Sequence, residues 1–277
     1  ISPIDPISEL MVKFYATNGA TSNKAFPIAR AITKIEIVDG ADVIFSMDGR
    51  LAHALMYYHT GVFPQQGIRE AGGYVQHVNI PIRFGRWLWD PIISLDPARF
   101  KNLQMKISWN LAAVNAVGAT GFVTGTAQLT VIAKVMAGAE AKPTHFIMHK
   151  DQYSWTTGAS GDERIPLPTD YAFVGMMLRA WEAGIDMETT ITNVKLNIDF
   201  DKDIPIDLKS NDLRGRIINK YGKISNEIIF LGNNAEAHRN WFNSVFSLAA
   251  CPNGSKIIAN IASMDADTYT LNLHDDT

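Results

Sequence analysis

Asp199-Phe200-Asp201-Lys202-Asp203 sets carboxylates at alternate positions, as the start of an EF-hand calcium loop does. Hard cations take carboxylate oxygens, so a divalent ion held by Asp199, Asp201 and Asp203 is one reading. The rest of the loop departs from that pattern. Ile204 stands where the sharp turn needs Gly, and Ser210 where a bidentate Glu belongs. A solvated hairpin turn is the preferred reading, and no cofactor is expected. His145 and His149 sit in FIMHK, which reads as a strand. A strand would hold them on one face about 13 Å apart, too far to share a metal ion. His53 and His59 are six positions apart on a predicted helix and do not converge. Gly158-Ala159-Ser160-Gly161 lacks the spacing of a nucleophile elbow. Gly72-Gly73 lacks the rest of a phosphate fingerprint. Cys251 has no diagnostic nearby base and reads as a spectator thiol. Asn253-Gly254-Ser255 is a formal glycosylation sequon that reads as a turn. No catalytic residue, cofactor site or metal ligand is assigned, and an enzyme is not expected.

One cluster suits contact rather than catalysis. Arg83, Arg86 and Arg99 fall among Phe84, Trp87, Trp89 and Phe100. Aromatic rings with Arg are typical of interface hot spots. They also occur at core edges, where Arg stems cover rings. The expected interface set is Arg83, Arg86, Trp87, Trp89, Arg99 and Phe100. Trp87 and Trp89 share a parity, so an extended segment would show both on one face.

Composition points the same way. Charged residues are 19% of the chain, below the roughly 25% of an average soluble domain. Many large apolar groups and few charges suit a protein that buries surface against partners. The net charge of −3, with no basic tail, argues against direct nucleic-acid binding. One cysteine excludes an internal disulfide. No apolar stretch reaches 18 residues, so no membrane-spanning helix is expected. The leading Ile1-Ser2-Pro3-Ile4-Asp5-Pro6 does not have the form of a signal peptide.

The elements that must carry these residues are mostly strands. They are predicted over 8–17, 32–38, 42–47, 74–84, 103–109 and 125–135. Within 32–38 apolar and polar residues alternate, and Asp39-Gly40 then makes a hairpin turn. Pro81 marks 74–84 as an edge strand or a strand end. Helices are predicted over 50–59, stopped by Gly61, over 211–221, stopped by Gly222, and over 235–248. Ala137 to Thr144 is small, polar and Pro-containing, and divides the chain near its midpoint.

The halves repeat one order. Ile32-Thr33-Lys34-Ile35-Glu36-Ile37 matches Ile191-Thr192-Asn193-Val194-Lys195-Leu196. Each block leads into a polar turn, a short strand and a helix. Tyr171 to Ala180 precedes the second block as Ser8 to Thr17 precedes the first. A Thr-rich strand closes each half, over 126–135 and over 268–273. The fold class is therefore all-β, with two β-sandwich or jelly-roll domains over 1–138 and 139–277 and a short helix in each.

At these residues the chain resembles the double jelly-roll major capsid proteins of lipid-containing icosahedral bacteriophages, of the corticovirus type. The resemblance rests on ITKIEIVDGADVIFSMDGRLAHAL, IRFGRWLWDP, LDPARFKNLQMKISW and IPLPTDYAFVGMMLRAWEAGID, and on the block ending Lys220-Tyr221-Gly222. It covers nearly the whole chain in pattern and order. It implies two consecutive eight-stranded jelly rolls and a homotrimer of pseudo-hexagonal outline. Such trimers would tile an icosahedral shell over an internal membrane, beside minor capsid and vertex proteins. The implied place is the virion, with assembly in the host cytoplasm. The alternative is a carbohydrate-binding or hydrolytic double β-sandwich. A hydrolase would need two carboxylates facing across a cleft, and no feature brings two together.

Overall fold

Strand β1, Ile7–Thr17, starts the first sheet because every second side chain from Leu10 is apolar and inward. Leu10, Val12 and Phe14 are fully buried. A computed structural model describes residues 5–21, 23, 26–62, 64–67, 71–113, 120–138, 141–156, 158, 160–180, 190–199 and 201–221. Beyond these it describes the backbone of strands 226–231, 238–240, 256–261 and 272–275. Secondary structure is mostly β, with two α-helices and two short 3₁₀ turns among the described residues.

The first half is built from two four-stranded sheets. β2 (Ile32–Asp39) and β3 (Asp42–Met47) form the predicted hairpin, with Gly40 at φ 61 in its turn. Helix α1 (Gly49–Thr60) follows directly. Then come β4 (Gln66–Gly67), β5 (Val75–Arg83), β6 (Leu103–Trp109) and β7 (Gln128–Val135). β8 (His149–Lys150) pairs parallel with β3 from the far side of the expected 138/139 boundary. One sheet has the order β4-β5-β1-β7 and the other β6-β2-β3-β8. Consecutive long strands therefore cross between sheets after β1, β3, β5 and β6. Pro81 is tolerated in β5 because β4 reaches only Val78, so beyond it β5 is an edge. One apolar core fills the space between the sheets and includes Phe14, Ile35, Phe45, Ile80 and Phe84. All buried apolar side chains of the described residues lie between Ile7 and Phe122.

The second half repeats the hairpin and helix. β9 (Asn193–Ile198), β10 (Asp203–Lys209) and α2 (Ser210–Tyr221) start at 193, 203 and 210, each 161 residues beyond β2, β3 and α1 at 32, 42 and 49. Both helices run for 12 residues. Both hairpin ladders carry a register shift beside the turn, after Ile37↔Phe45 in one and after Leu196↔Ile206 in the other. The helix starts are also alike. Gly49 has no room for a Cβ, because Ala29 O and the Ile32 side chain would lie within 3 Å of it. Ser210, the matching residue, is buried, and its hydroxyl donates to Ile191 O. Each helix thus begins against the chain at the start of its own hairpin. A further sheet has the order β12-β11-β13-β14, from β11 (Asn226–Leu231), β12 (His238–Asn240), β13 (Lys256–Ile261) and β14 (Asn272–Asp275).

Some expectations change. Tyr171 to Ala180, matched by its place in the order to Ser8–Thr17, does not form a strand as β1 does, and Tyr171, Phe173 and Val174 are exposed. Its apolar residues fall on both parities, and among the described residues no strand pairs with it. The helix expected over 235–248 is a strand at His238–Asn240, and its remaining residues lie outside the described set. The closing strand predicted over 268–273 is seen from Asn272 onward. Cys251 and the Asn253-Gly254-Ser255 sequon also lie outside the described residues.

The two halves touch at their helices. Tyr57 Oη donates to Tyr221 O at 2.8 Å, and the Tyr58 and Tyr221 rings meet edge to face at 5.3 Å. Met177 packs on the same cluster. Asp48 caps α1 by accepting from Leu51 N at 2.7 Å and pairs with Arg179 at 2.8 Å.

Candidate functional site

The loop from Phe84 to Leu95 carries the most exposed aromatic pair among the described residues of the first half. It leaves β5 at a sharp bend where Gly85 lies against Ile93 O, leaving no room for a side chain. Asp90 organises the loop. Its carboxylate is fully buried, accepts from Ile92 N and Ile93 N at 3.1 Å, and takes two bonds from Arg86 at 2.8 and 3.2 Å. Arg86, with help from those backbone N–H groups and against the cost of burial, holds the Asp90 carboxyl down to about 2. The same guanidinium lies 4.2 Å from the centre of the Trp87 ring.

Trp87 and Trp89 are about half exposed, at 51% and 48%, and Ile92 is 56% exposed. Trp89 has φ 69, a left-handed conformation that is rare for a large side chain. Its N–H donates to Ser8 Oγ at 2.8 Å, which ties the strained residue to β1. Such strain persists where the surroundings impose it and is concentrated at functional surfaces.

The six expected interface residues divide into two groups. Arg86, Trp87 and Trp89 form the exposed cluster. Arg83 turns to the buried Glu9, which it meets at 3.2 Å, and Lys134 meets the other Glu9 oxygen at 2.6 Å. Arg99 donates to Thr144 O, and Phe100 stacks edge to face on Phe146 at 5.5 Å. Those two pin the segment at 144–146 to the first half. Spacing could not separate the groups, because the bend at Gly85 and the buried Asp90 decide which rings face out.

Sequence spacing also missed a histidine pair. His59 of α1 and His149 of β8 meet edge to face at 6.0 Å, beside Phe45. His149 also contacts Arg83 O at 3.3 Å. Burial, then the neighbouring His59, pushes the His149 imidazole down to about 4. Burial and Arg83 push His59 down as well. His53 is buried against Pro64 O at 3.1 Å and is pushed down to about 4 by burial. His145 instead contacts Thr144 Oγ1 at 2.8 Å.

Among the described residues no three His, Cys, Asp or Glu side chains converge as a metal site. Asp199 and Asp201 occupy a turn at φ 51 and 68, and Asp201 pairs with Lys195 at 3.0 Å. The three alternating carboxylates therefore serve a hairpin turn. No helix among the described residues is long and apolar enough to cross a membrane.

Comparison with family models, with curated proteins and with solved structures gives no match to this chain.

Proposed function

We propose that this chain is a double jelly-roll major capsid protein, whose trimers tile an icosahedral shell over an internal membrane. The observation that carries the reading is the hairpin–helix unit that recurs in the second half, where Leu196↔Ile206 answers Ile37↔Phe45 at an offset of 159 residues in the first strand (196 − 37) and 161 in the second (206 − 45). A duplicated β domain gives a trimer six similar faces, which suits a hexagonal lattice position.

The strand order of the first half supports the jelly-roll part. A jelly roll passes its eight strands back and forth between two facing sheets. One sheet holds strands one, eight, three and six in that order, and the other holds two, seven, four and five. β1, β5 and β7 have the neighbours of strands three, six and eight, and β2, β3 and β6 those of four, five and seven. The places of strands one and two, beside β7 and β6, are taken by no strand among the described residues.

On this reading Arg86, Trp87 and Trp89 meet a neighbouring subunit. Light scattering coupled to size exclusion tests the assembly. The expected species is a trimer of 30.6-kDa chains. A monomer that binds glycans would sink the coat reading and favour the carbohydrate-binding alternative. Electron microscopy of the expressing host should show shells or trimer tiles.

A further inference from the structure

A strap of chain, residues 144–151, runs across the place where the tryptophan loop leaves β5. Backbone bonds lace the two together. Thr144 N donates to Ile92 O at 3.1 Å, Ser94 N to His145 O at 3.0 Å, and Ile147 N to Phe84 O at 2.8 Å. At its far end the strap joins the other sheet through only two residue pairs, Phe45↔His149 and Ser46↔Lys150. Asp151 N then donates to Ser46 O at 2.8 Å. So short a parallel pairing is a low-stability element, which opens locally before the core does.

Two imidazoles close this junction. His149 of the strap donates to Arg83 O at 3.3 Å, and His59 of α1 reaches the carbonyls of Gly85 and Arg86. Together they hold three carbonyls at the bend that aims Trp87 and Trp89 outward. The surroundings suit both rings as neutral groups. Burial outweighs the carbonyl bonds at each ring, and Arg83 adds to its effect at His59. The charged groups facing the pair from neighbouring elements are Arg83 on β5, Glu9 on β1, Lys134 on β7, and Arg86 with Asp90 in the loop; Lys150 flanks it in the strap. Both carboxylates are already taken, Glu9 by Arg83 and Lys134, and Asp90 by Arg86. β3 presents the uncharged Phe45 ring.

We propose that His59 and His149 form an acid-operated latch: when both take up protons, β8 leaves β3 and the strap frees the bend that positions Trp87 and Trp89. Protonation adds two cations where cations already outnumber carboxylates. A solvated imidazole takes its proton at the ordinary 6.5, whereas in the closed strap His149 does so only at about 4. The open strap therefore binds protons that the closed one refuses. The latch is shut above pH 6.5 and opens as pH falls toward 4. One group acts the other way. Asp151 faces Asp48, Arg179 and Lys34, and burial pushes its carboxyl up, so its protonation favours the closed strap. That is one group against two. The latch involves only the strap and the loop and does not depend on the coat reading.

Hydrogen exchange of the full chain between about pH 7 and about pH 4.5 tests the proposal, with rates corrected for the intrinsic effect of pH. Protection at the amides of Ser94, Thr144, Ile147 and Asp151 should fall ~10-fold or more beyond any fall over 103–109. His59→Gln and His149→Phe should each shrink that excess, and the double variant should remove it. A role in packing alone would lower protection at every pH and leave the slope unchanged. Where His149→Phe does not fold, the partly buried His59→Gln decides. An equal fall over 103–109, which is global unfolding, would overturn the proposal. So would a slope unchanged in His59→Gln, or a strap that opens while residues 84–95 keep their protection.

Discussion

The same hairpin–helix unit occurs twice in this chain, and only the first copy is buried among the described residues. Phe45 in β3 is fully buried between two sheets. Ile206, 161 residues later, occupies the matching place in β10 and is only partly buried. α1 buries six residues, including Ala52, His53 and Met56, whereas α2 buries only Ser210. Local sequence is therefore enough to specify hairpin, turn and helix. Burial depends on what other strands bring against them, and around β2 and β3 that is β6 and β8.

The largest expected break in this comparison comes from truncating the matched pair. Phe45→Ala empties a closed site and should cost about 3–5 kcal/mol. Ile206→Ala removes less buried surface and should cost under about 1.5 kcal/mol. Urea denaturation of both variants checks the ratio. Equal losses would mean that the second unit is as tightly packed as the first.

Ion pairs should separate in the same way. Glu9 is 2% exposed and carries both Arg83 and Lys134. Glu9→Ala leaves two cations without their shared partner and should cost about 3 kcal/mol. Asp201→Ala removes an exposed pair with Lys195 and should change stability by less than about 1 kcal/mol. Thermal melts of the two variants would show whether a charge counts for more in the first half.

Acid should weaken the first half selectively. His53 and His149 have folded-state pKa values depressed to about 4 from an ordinary 6.5. Below 6.5 the unfolded chain binds protons that the folded chain refuses. Their contribution is thus complete above 6.5 and falls as pH drops toward 4, by on the order of 2–3 kcal/mol each. Asp90, lowered to about 2, contributes fully above its ordinary 3.8 and loses that as pH falls through 2. Replacing His149 by Phe should flatten the curve between pH 6.5 and 4 and leave the loss below 3.8. A curve unchanged by His149→Phe would show that the imidazole is not buried as a neutral group.

The sequence made some of this legible. Alternation in 32–38, the Asp39-Gly40 turn and the Gly61 stop are local signals, and β2, β3 and α1 appear where those signals put them. β6 matches its predicted span residue for residue. The repeat in the second half was readable for the same reason. Long-range pairing was not. Glu9 in an apolar strand gave no hint that Arg83 and Lys134 would flank it, because ladder register sets that meeting. His59 and His149 come together only because β8 adds to β3. Within the expected interface set, the buried Asp90 turned Arg86 and Trp87 outward, while Arg99 and Phe100 became anchors for another segment. Tyr171 to Ala180 holds the place in the order that Ser8–Thr17 holds in the first half, but its apolar residues fall on both parities, so it lacks the one-sided pattern that buries β1.

The smallest predicted effect tests whether the two units act as one body. Tyr57 Oη to Tyr221 O is a single neutral hydrogen bond between the helix ends. Tyr57→Phe keeps the ring and its packing with Tyr58 while leaving Tyr221 O without that donor, so the loss should be about 0.5–1.5 kcal/mol. How that loss appears matters more than its size. If the helices couple the halves, Tyr57→Phe lowers a single cooperative transition. If the first half is stable by itself, its transition stays in place and hydrogen exchange rises only over 210–221. The second outcome would sharpen the comparison, because the unit with the buried core would then hold the other in place through the Tyr57, Tyr58 and Tyr221 cluster without needing it in return.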